Sequence, residues 1–266
     1  MRDTFVFIGI LLAGAAGVQA QTMYGVGNFG TFSNQSLYTI DPSTGGATLV
    51  GATGLDQIAD IAYDGATDQL FALTRNNALY TLSRQTGAAT LIASTPGTIP
   101  EGSLALRRSD RVLFASSGDT LASVSLMTAA LANIGFTPPN AATSDISGMA
   151  FSNAGQLFAY AKNGTLEDSL LIVNPATGAG TLIGLTGIMS SSSVGGLSFN
   201  ESSGALFLSD GLSLYNLNTA TGTATIIGSH GIAGMSGIAF IPTPGAAGLL
   251  VIASLAMSRR RRHAAR

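Results

Sequence analysis

The sequence predicts an all-β protein, a closed ring of five four-stranded sheets in the β-propeller architecture. A signal helix is expected before it and a hydrophobic helix after it. Three observations carry this reading: the composition, a repeat of about 43 residues, and incomplete first and last repeats that complement each other. Glycine supplies 34 of the 266 residues, hydrophobic residues 46% and charged residues 10%. That balance excludes a disordered polar chain or a coiled coil and fits short strands joined by tight turns. Cysteine and tryptophan are both absent, which excludes a disulfide framework, thiolate metal sites and a cysteine nucleophile.

The repeat is marked by a threonine, usually followed by glycine, behind a short apolar strand. Thr44, Thr86, Thr128, Thr177 and Thr221 are separated by 42, 42, 49 and 44 residues. Each is followed by a second apolar strand: Thr48-Leu49-Val50-Gly51, Thr90-Leu91-Ile92-Ala93, Leu131-Ala132-Asn133-Ile134-Gly135, Thr181-Leu182-Ile183-Gly184 and Thr225-Ile226-Ile227-Gly228. Two further strands complete each unit. The first recurs as Ile61-Ala62-Tyr63, Leu104-Ala105-Leu106, Met149-Ala150-Phe151, Leu197-Ser198-Phe199 and Ile238-Ala239-Phe240. The second recurs as Leu70-Phe71-Ala72, Val112-Leu113-Phe114, Leu157-Phe158-Ala159 and Leu206-Phe207-Leu208. One four-stranded sheet cannot bury both faces alone, so such units are stable only when stacked. The body enters at Met23-Tyr24-Gly25-Val26, in the phase of a second strand, and its missing first strand is Ile238-Ala239-Phe240 at the far end. Pairing of these two segments closes the ring.

The ends read as addresses. Arg2, the apolar run Phe5 to Val18 and the small residues of Val18-Gln19-Ala20 have the order of a secretory signal peptide over residues 1–20. The propeller is expected over 21–241. Residues 242–266 form a C-terminal segment: Pro242-Thr243-Pro244-Gly245, the apolar stretch Ala246 to Met257, then Arg259, Arg260, Arg261 and Arg262. The apolar stretch is short beside the ~17–25 residues of a spanning helix, and its flanking arginines would stay on the cytoplasmic side. This order of Pro-x-Pro, apolar helix and arginine cluster resembles the PEP-CTERM sorting signal of Gram-negative bacteria, with Thr243 in place of the usual glutamate. The resemblance covers about the last twenty-five residues. It implies an exosortase-type membrane processing protease as a partner, transient or permanent membrane anchoring, and a cell-surface or extracellular destination linked to exopolysaccharide.

Thirteen carboxylates oppose six cations between Gln21 and Pro242, a formal −7. An acidic body without a basic stripe excludes nucleic acid as a partner. In a propeller, the loops entering the inner strands share one face with the loops between second and third strands. That face is expected to carry Asn28, Asp56, Asp60, Arg75, Asn76, Glu101, Asp119, Asp145, Lys162, Asn163, Asp210 and His230. Asp60, Glu101 and Asp145 lie near the start of three successive inner strands. They define an alternative reading as a glycoside hydrolase or lyase, in which one acid protonates the leaving oxygen and another activates water or attacks. His230 is the one histidine of the body, which leaves a histidine-based metal site or a catalytic triad little to rest on. Asp64 to Asp68 lacks the distal glutamate of a calcium loop and reads as a hairpin turn. Gly25 to Gly30 has the glycines of a phosphate loop without a following helix. Asn34-Gln35-Ser36 and Asn163-Gly164-Thr165 match the glycosylation sequon.

No metal and no cofactor are expected. The function expected from the sequence is an exported, surface-associated, non-catalytic binding or matrix protein whose ligand is a polysaccharide or another surface protein. Two alternatives stand beside it, the carbohydrate-active enzyme and a purely structural scaffold. The absence of the Trp-Asp signature leaves the propeller resemblance architectural, and fold alone does not transfer function.

Overall fold

A computed structural model describes residues 21–28, 34–97, 102–136, 145–164, 166–189 and 195–242. The expected signal helix, the apolar helix, Glu101, Thr243, Pro244, Gly245 and Arg259 to Arg262 lie outside the described residues. Among the described residues there are twenty strands, and no helix is long and apolar enough to cross a membrane.

The strands form five antiparallel four-stranded sheets. Blade one holds β1 (Gln21–Gly27), β2 (Gln35–Ile40) and β3 (Ala47–Leu55). Blade two runs β4 (Ile58–Asp64), β5 (Gln69–Thr74), β6 (Ala78–Leu82) and β7 (Ala89–Ser94). Blade three runs β8 (Leu104–Arg107), β9 (Val112–Ser117), β10 (Thr120–Val124) and β11 (Leu131–Phe136). Blade four runs β12 (Asp145–Phe151), β13 (Leu157–Lys162), β14 (Ser169–Val173) and β15 (Gly180–Leu185). Blade five runs β16 (Gly196–Asn200), β17 (Ala205–Ser209), β18 (Ser213–Leu217) and β19 (Ala224–Ser229). The last strand, β20 (Gly237–Pro242), returns to blade one and gives it the order β20-β1-β2-β3. Its register on β1 runs from Gln21↔Pro242 to Val26↔Gly237. The ring therefore closes as the phase of the repeat predicts, and both ends of the body emerge side by side on one face, called here the lower face.

Apolar residues fill the seams between blades. Five buried clusters each join two neighbouring blades, and the cluster of Met23, Ile40, Phe207, Leu214, Met235, Ile238 and Phe240 joins blade five to blade one. Because side chains alternate along a strand, Ile238 and Phe240 serve that seam while Ala239 and Ile241 of the same strand serve the seam between blades one and two. Three seams add a phenylalanine pair between a second strand and the next inner strand: Phe114–Phe151 at 5.4 Å, Phe158–Phe199 at 5.3 Å and Phe207–Phe240 at 5.1 Å between ring centroids.

The Thr-Gly marker of the repeat is a clasp between blades. Gly51, Gly135, Gly184 and Gly228 on outer strands lie against the Thr-Gly turn of the following blade. A Cβ there would stand 2.0–2.1 Å from the carbonyl oxygens of Thr86, Thr177, Thr221 and Thr44. The turn glycines Gly45, Gly87, Gly178 and Gly222 have φ of 75–83°, a region costly for residues with a Cβ. At the junction of blades two and three, alanine replaces glycine on both sides, as Ala93 and Ala129. Ala129 keeps a φ of 56°, and the Thr95 hydroxyl donates to Thr128 O at 2.7 Å.

Candidate functional site

The face opposite the paired ends, the upper face, collects the loops entering the inner strands and the turns between second and third strands. Among the described residues it displays Asp56, Asp119, Asp145 and Glu167 with Arg75, and Asp60, Asp168, Asp210 and Lys162 lie buried beneath them. The lower face carries the exposed Asp41 and Arg84, Arg107, Arg108 and Arg111, each arginine in an ion pair, with Asp68, Asp110, Glu201 and Asp64 respectively. Negative charge is thus concentrated on the upper face.

Asp60 is buried, not displayed. It stands where the other inner strands have Ser103 and the glycines Gly237, Gly148 and Gly196, whose added Cβ would meet the next inner strand at 2.2–3.0 Å. A Cβ on Gly237 would lie 2.2 Å from its Oδ1. Its Oδ1 accepts from the Ile61 N–H and its Oδ2 from the Leu104 N–H, both at 2.8 Å. Burial pushes its carboxyl well above the usual range, against the opposing pull of the two N–H donors. The acid therefore fastens blade two to blade three. Below this level, among the described residues, a cavity of about 60 Å³ lies between the inner strands, lined by Ile61, Leu104, Met149, Leu197 and Ile238 among others. The Arg108–Glu201 pair lies at its lower end.

The raised value has a measurable consequence. A raised carboxyl favours the protonated folded form, so its contribution to stability is complete below the ordinary carboxylate range near pH ~4 and is lost as pH rises through the raised value. The melting-temperature deficit of Asp60→Ala relative to the natural protein is expected to be largest near pH ~4 and to shrink towards pH ~8. A deficit independent of pH would show that Asp60 carries no unusual proton affinity. Burial also lowers His230, but that contribution is common to both proteins and cancels in the difference.

His230 is buried in the closing seam. Its Nδ1 lies 2.9 Å from Gly45 O and its Nε2 3.0 Å from Ser209 Oγ. A carbonyl only accepts, so Nδ1 carries the proton and Nε2 accepts from the serine hydroxyl. This neutral ring ties blade five to blade one.

The other expected residues are held by their own loops or by the neighbouring loop of the same face. Asp56 Oδ1 accepts from Asn34 N–H at 2.8 Å, and the Arg75 N–H donates to Gln57 O at 2.9 Å. The Thr74 hydroxyl donates to Asn76 Oδ1, and Asp119 Oδ1 accepts from Thr120 Oγ1 at 3.3 Å. Asn28, with φ of 81°, donates its N–H to Ala233 O. Asp145 stands opposite the buried Lys162 in the register of β12 on β13. The Asn163 amide donates to Glu167 O at 2.6 Å and to Ser169 Oγ at 2.8 Å. Asp210 caps its turn, accepting from Leu212 N–H at 2.9 Å, Ser213 N–H at 2.8 Å and Tyr215 Oη at 3.1 Å.

The structure adds residues that were not singled out in the sequence. Tyr160, fully buried in β13, donates to Asp168. Burial, with the Asp168 and Asp210 charges, pushes the Tyr160 phenol upward, and burial with Asp210 pushes Tyr215 to about 12. Blades four and five therefore share a polar group of Tyr160, Asp168, Asp210 and Tyr215. Gln35, also fully buried, donates from its amide to Ile58 O and Ser236 Oγ, and accepts from Ile58 N–H. Aligning the repeats gives one visible signal: Tyr160 and Ser209 are polar where blade two has Leu73.

On the lower face, the Asp64 turn is closed by protein groups. Burial alone would raise the Asp64 carboxyl, but the Thr67 hydroxyl, the Arg111 guanidinium and the Ala66 N–H outweigh it and hold the value low. Among the described residues no group of three metal-ligating acids or histidines converges. Gly25 and Gly27 lie within β1, packed against Met235 and Ile232.

These features define the class: a five-bladed β-propeller with, among the described residues, an acidic upper face and a narrow centre. The chain matches no protein-family model and no curated protein. Among solved structures it is similar to a chain of the nidogen/laminin complex, with a TM-score of 0.55 and 11% identity over 83% of this chain and 98% of that one. It is also similar to TolB from Acinetobacter baumannii, with a TM-score of 0.50 and 14% identity over 84% of this chain and 67% of that one. At such identities the likeness is one of fold.

Proposed function

We propose that the chain is an exported, surface-associated propeller that binds a polysaccharide or a surface protein without turning it over. The observation that carries this reading is the narrow centre of the ring among the described residues. The channel cavity of about 60 Å³ has room for a few waters, whereas ligand pockets span about 300–1,000 Å³. Asp60, the inner acid on which hydrolysis would depend, spends both oxygens on main-chain donors. Two larger hollows, of about 280 and 250 Å³, lie among the lower-face turns of blades three to five, and on this reading recognition falls to the acidic rim and its loops. Export and anchoring rest on the two ends of the sequence: the signal-peptide order of residues 1–20, and the Pro242 to Arg262 segment with its PEP-CTERM-like arrangement and implied processing protease.

The test incubates residues 21–242 with exopolysaccharide purified from the source organism and records retained polysaccharide and new reducing ends together. Retention without new ends is the expected result. New ends that vanish in the Asp60→Ala, Glu101→Ala, Asp145→Ala triple variant would move the chain to the carbohydrate-active enzymes. Neither signal would redirect the search to protein ligands. In the mature protein recovered from cells, intact mass is expected to lack Arg259 to Arg262; their retention would leave a simple anchor in place of a processed signal.

A further inference from the structure

The two lower-face hollows flank one turn, the β12–β13 turn of blade four. The first, of about 280 Å³, opens towards the β8–β9 turn of blade three and is lined by Arg107, Arg108, Ser109, Phe151 and Asn153 among others. The second, of about 250 Å³, opens towards blade five and is lined by Asn153, Gln156, Phe158, Phe199 and Thr219 among others. Ser152 and Asn153 line both. The polar groups here are of two kinds. Some are fixed: Arg107 donates from Nε and Nη2 to Asp110 at 2.9 and 2.7 Å, with its Cζ 5.0 Å from the Phe114 ring centroid. Arg108 pairs with Glu201, and the Asn153 amide donates to Glu201 O at 2.8 Å. Others have no protein partner among the described residues: Asn153 Oδ1, the Ser109 and Thr219 hydroxyls and the Gln156 side-chain amide.

We propose that this turn of blade four is a binding site for a neutral saccharide, with one sugar ring in each hollow. The charge excludes the ionic alternatives. Both arginines of the first hollow have a carboxylate partner, so an anion would meet Asp110 and Glu201, a cation would meet two guanidiniums, and neither sign is favoured. A guanidinium beside a carboxylate does set donors next to acceptors, and neighbouring hydroxyls of a sugar need both, since each hydroxyl donates and accepts. Phe151, half-buried, offers an apolar wall to the C–H face of a ring, and the edges of the buried Phe158 and Phe199 do so in the second hollow. Apolar walls with a few placed polar groups are the usual make-up of a small-ligand site. Each hollow is just below the ~300 Å³ at which drug-sized pockets begin, which suits a single ring. A peptide fits less well, because the turns close their main chain on themselves. Ser152 N–H donates to Gln156 O at 2.8 Å, Gly155 N–H to Ser152 O at 2.9 Å and Gly204 N–H to Asn200 O at 2.7 Å, so no strand edge is open for a peptide to extend. The site lies on the face opposite the acidic rim, and no residue of the rim enters it.

Ligand-observed NMR titration of the protein recovered from cells tests it with maltotriose, cellotriose and mannotriose, and with trigalacturonate as the charged comparison. At least one neutral trisaccharide is expected to bind with a Kd of ~1 mM or tighter, and trigalacturonate about ten-fold more weakly or not at all. Ser109→Tyr, at an exposed turn position, places a ring in the first hollow. It is expected to weaken binding about ten-fold or more while the melting temperature stays within a few degrees. Should that variant fold poorly, Asn153→Ala removes a group common to both hollows and is expected to weaken binding about five-fold or more. No binding of any of the three, trigalacturonate bound as tightly as they are, or an affinity unchanged in a folded variant overturns the proposal. In the last case the sugar is held elsewhere and the rim reading stands, so failure here is separate from failure of the retention assay.

Discussion

Deletion of residues 235–241 is expected to abolish the cooperative unfolding transition of the body. The segment supplies the inner strand of blade one, and Met235, Ile238, Phe240 and Ile241 are at most 2% exposed. Burying one large apolar side chain contributes ~1.5–3 kcal/mol, so four together approach the whole stability of a domain, ~5–15 kcal/mol. The loss falls on two seams at once, because successive residues of β20 face opposite sides. Calorimetry of residues 21–234 is the check. A transition at the melting temperature of the intact body would mean that the ring does not depend on its closing strand.

Gly184→Val is expected to destabilise the fold by ~3 kcal/mol or more. The added carbon would meet the main-chain oxygen of Thr221 at 2.0 Å, and a carbonyl fixed in a turn cannot move aside as a flexible side chain can. Gly46→Ala provides the contrast. Its Cβ has only the Thr44 hydroxyl in reach, at 3.5 Å, and the expected change is within about 0.5 kcal/mol. Urea unfolding of both variants measures the difference. Equal effects would show that the clasp contributes nothing beyond an ordinary glycine.

Strand order and closure were legible in the sequence because both depend on periodicity. Four apolar segments per unit and an orphan second strand at Met23 leave one arrangement that pairs every strand. The role of the repeat's own marker was hidden, since nothing in Thr86-Gly87 says that Gly51 of another blade approaches it. Asp60 and His230 show the same limit at the site. Both stand in segments that read as polar loop entrances, and both lie under the surface because neighbouring blades offer the Leu104 N–H and the Gly45 carbonyl as partners. Such partners lie 44 and 185 residues away in sequence, where local pattern has no reach.

The pairing of Gln21 with Pro242 also sets how the ring would respond to tension. A tether at residue 242 and a ligand gripping the opposite face would pull β20 along its own axis. Its six register pairs with β1 would then be strained simultaneously, in shear, instead of opening one after another as in peeling. Under such a tether the strand that completes the ring would also be the one through which the pulling force enters it.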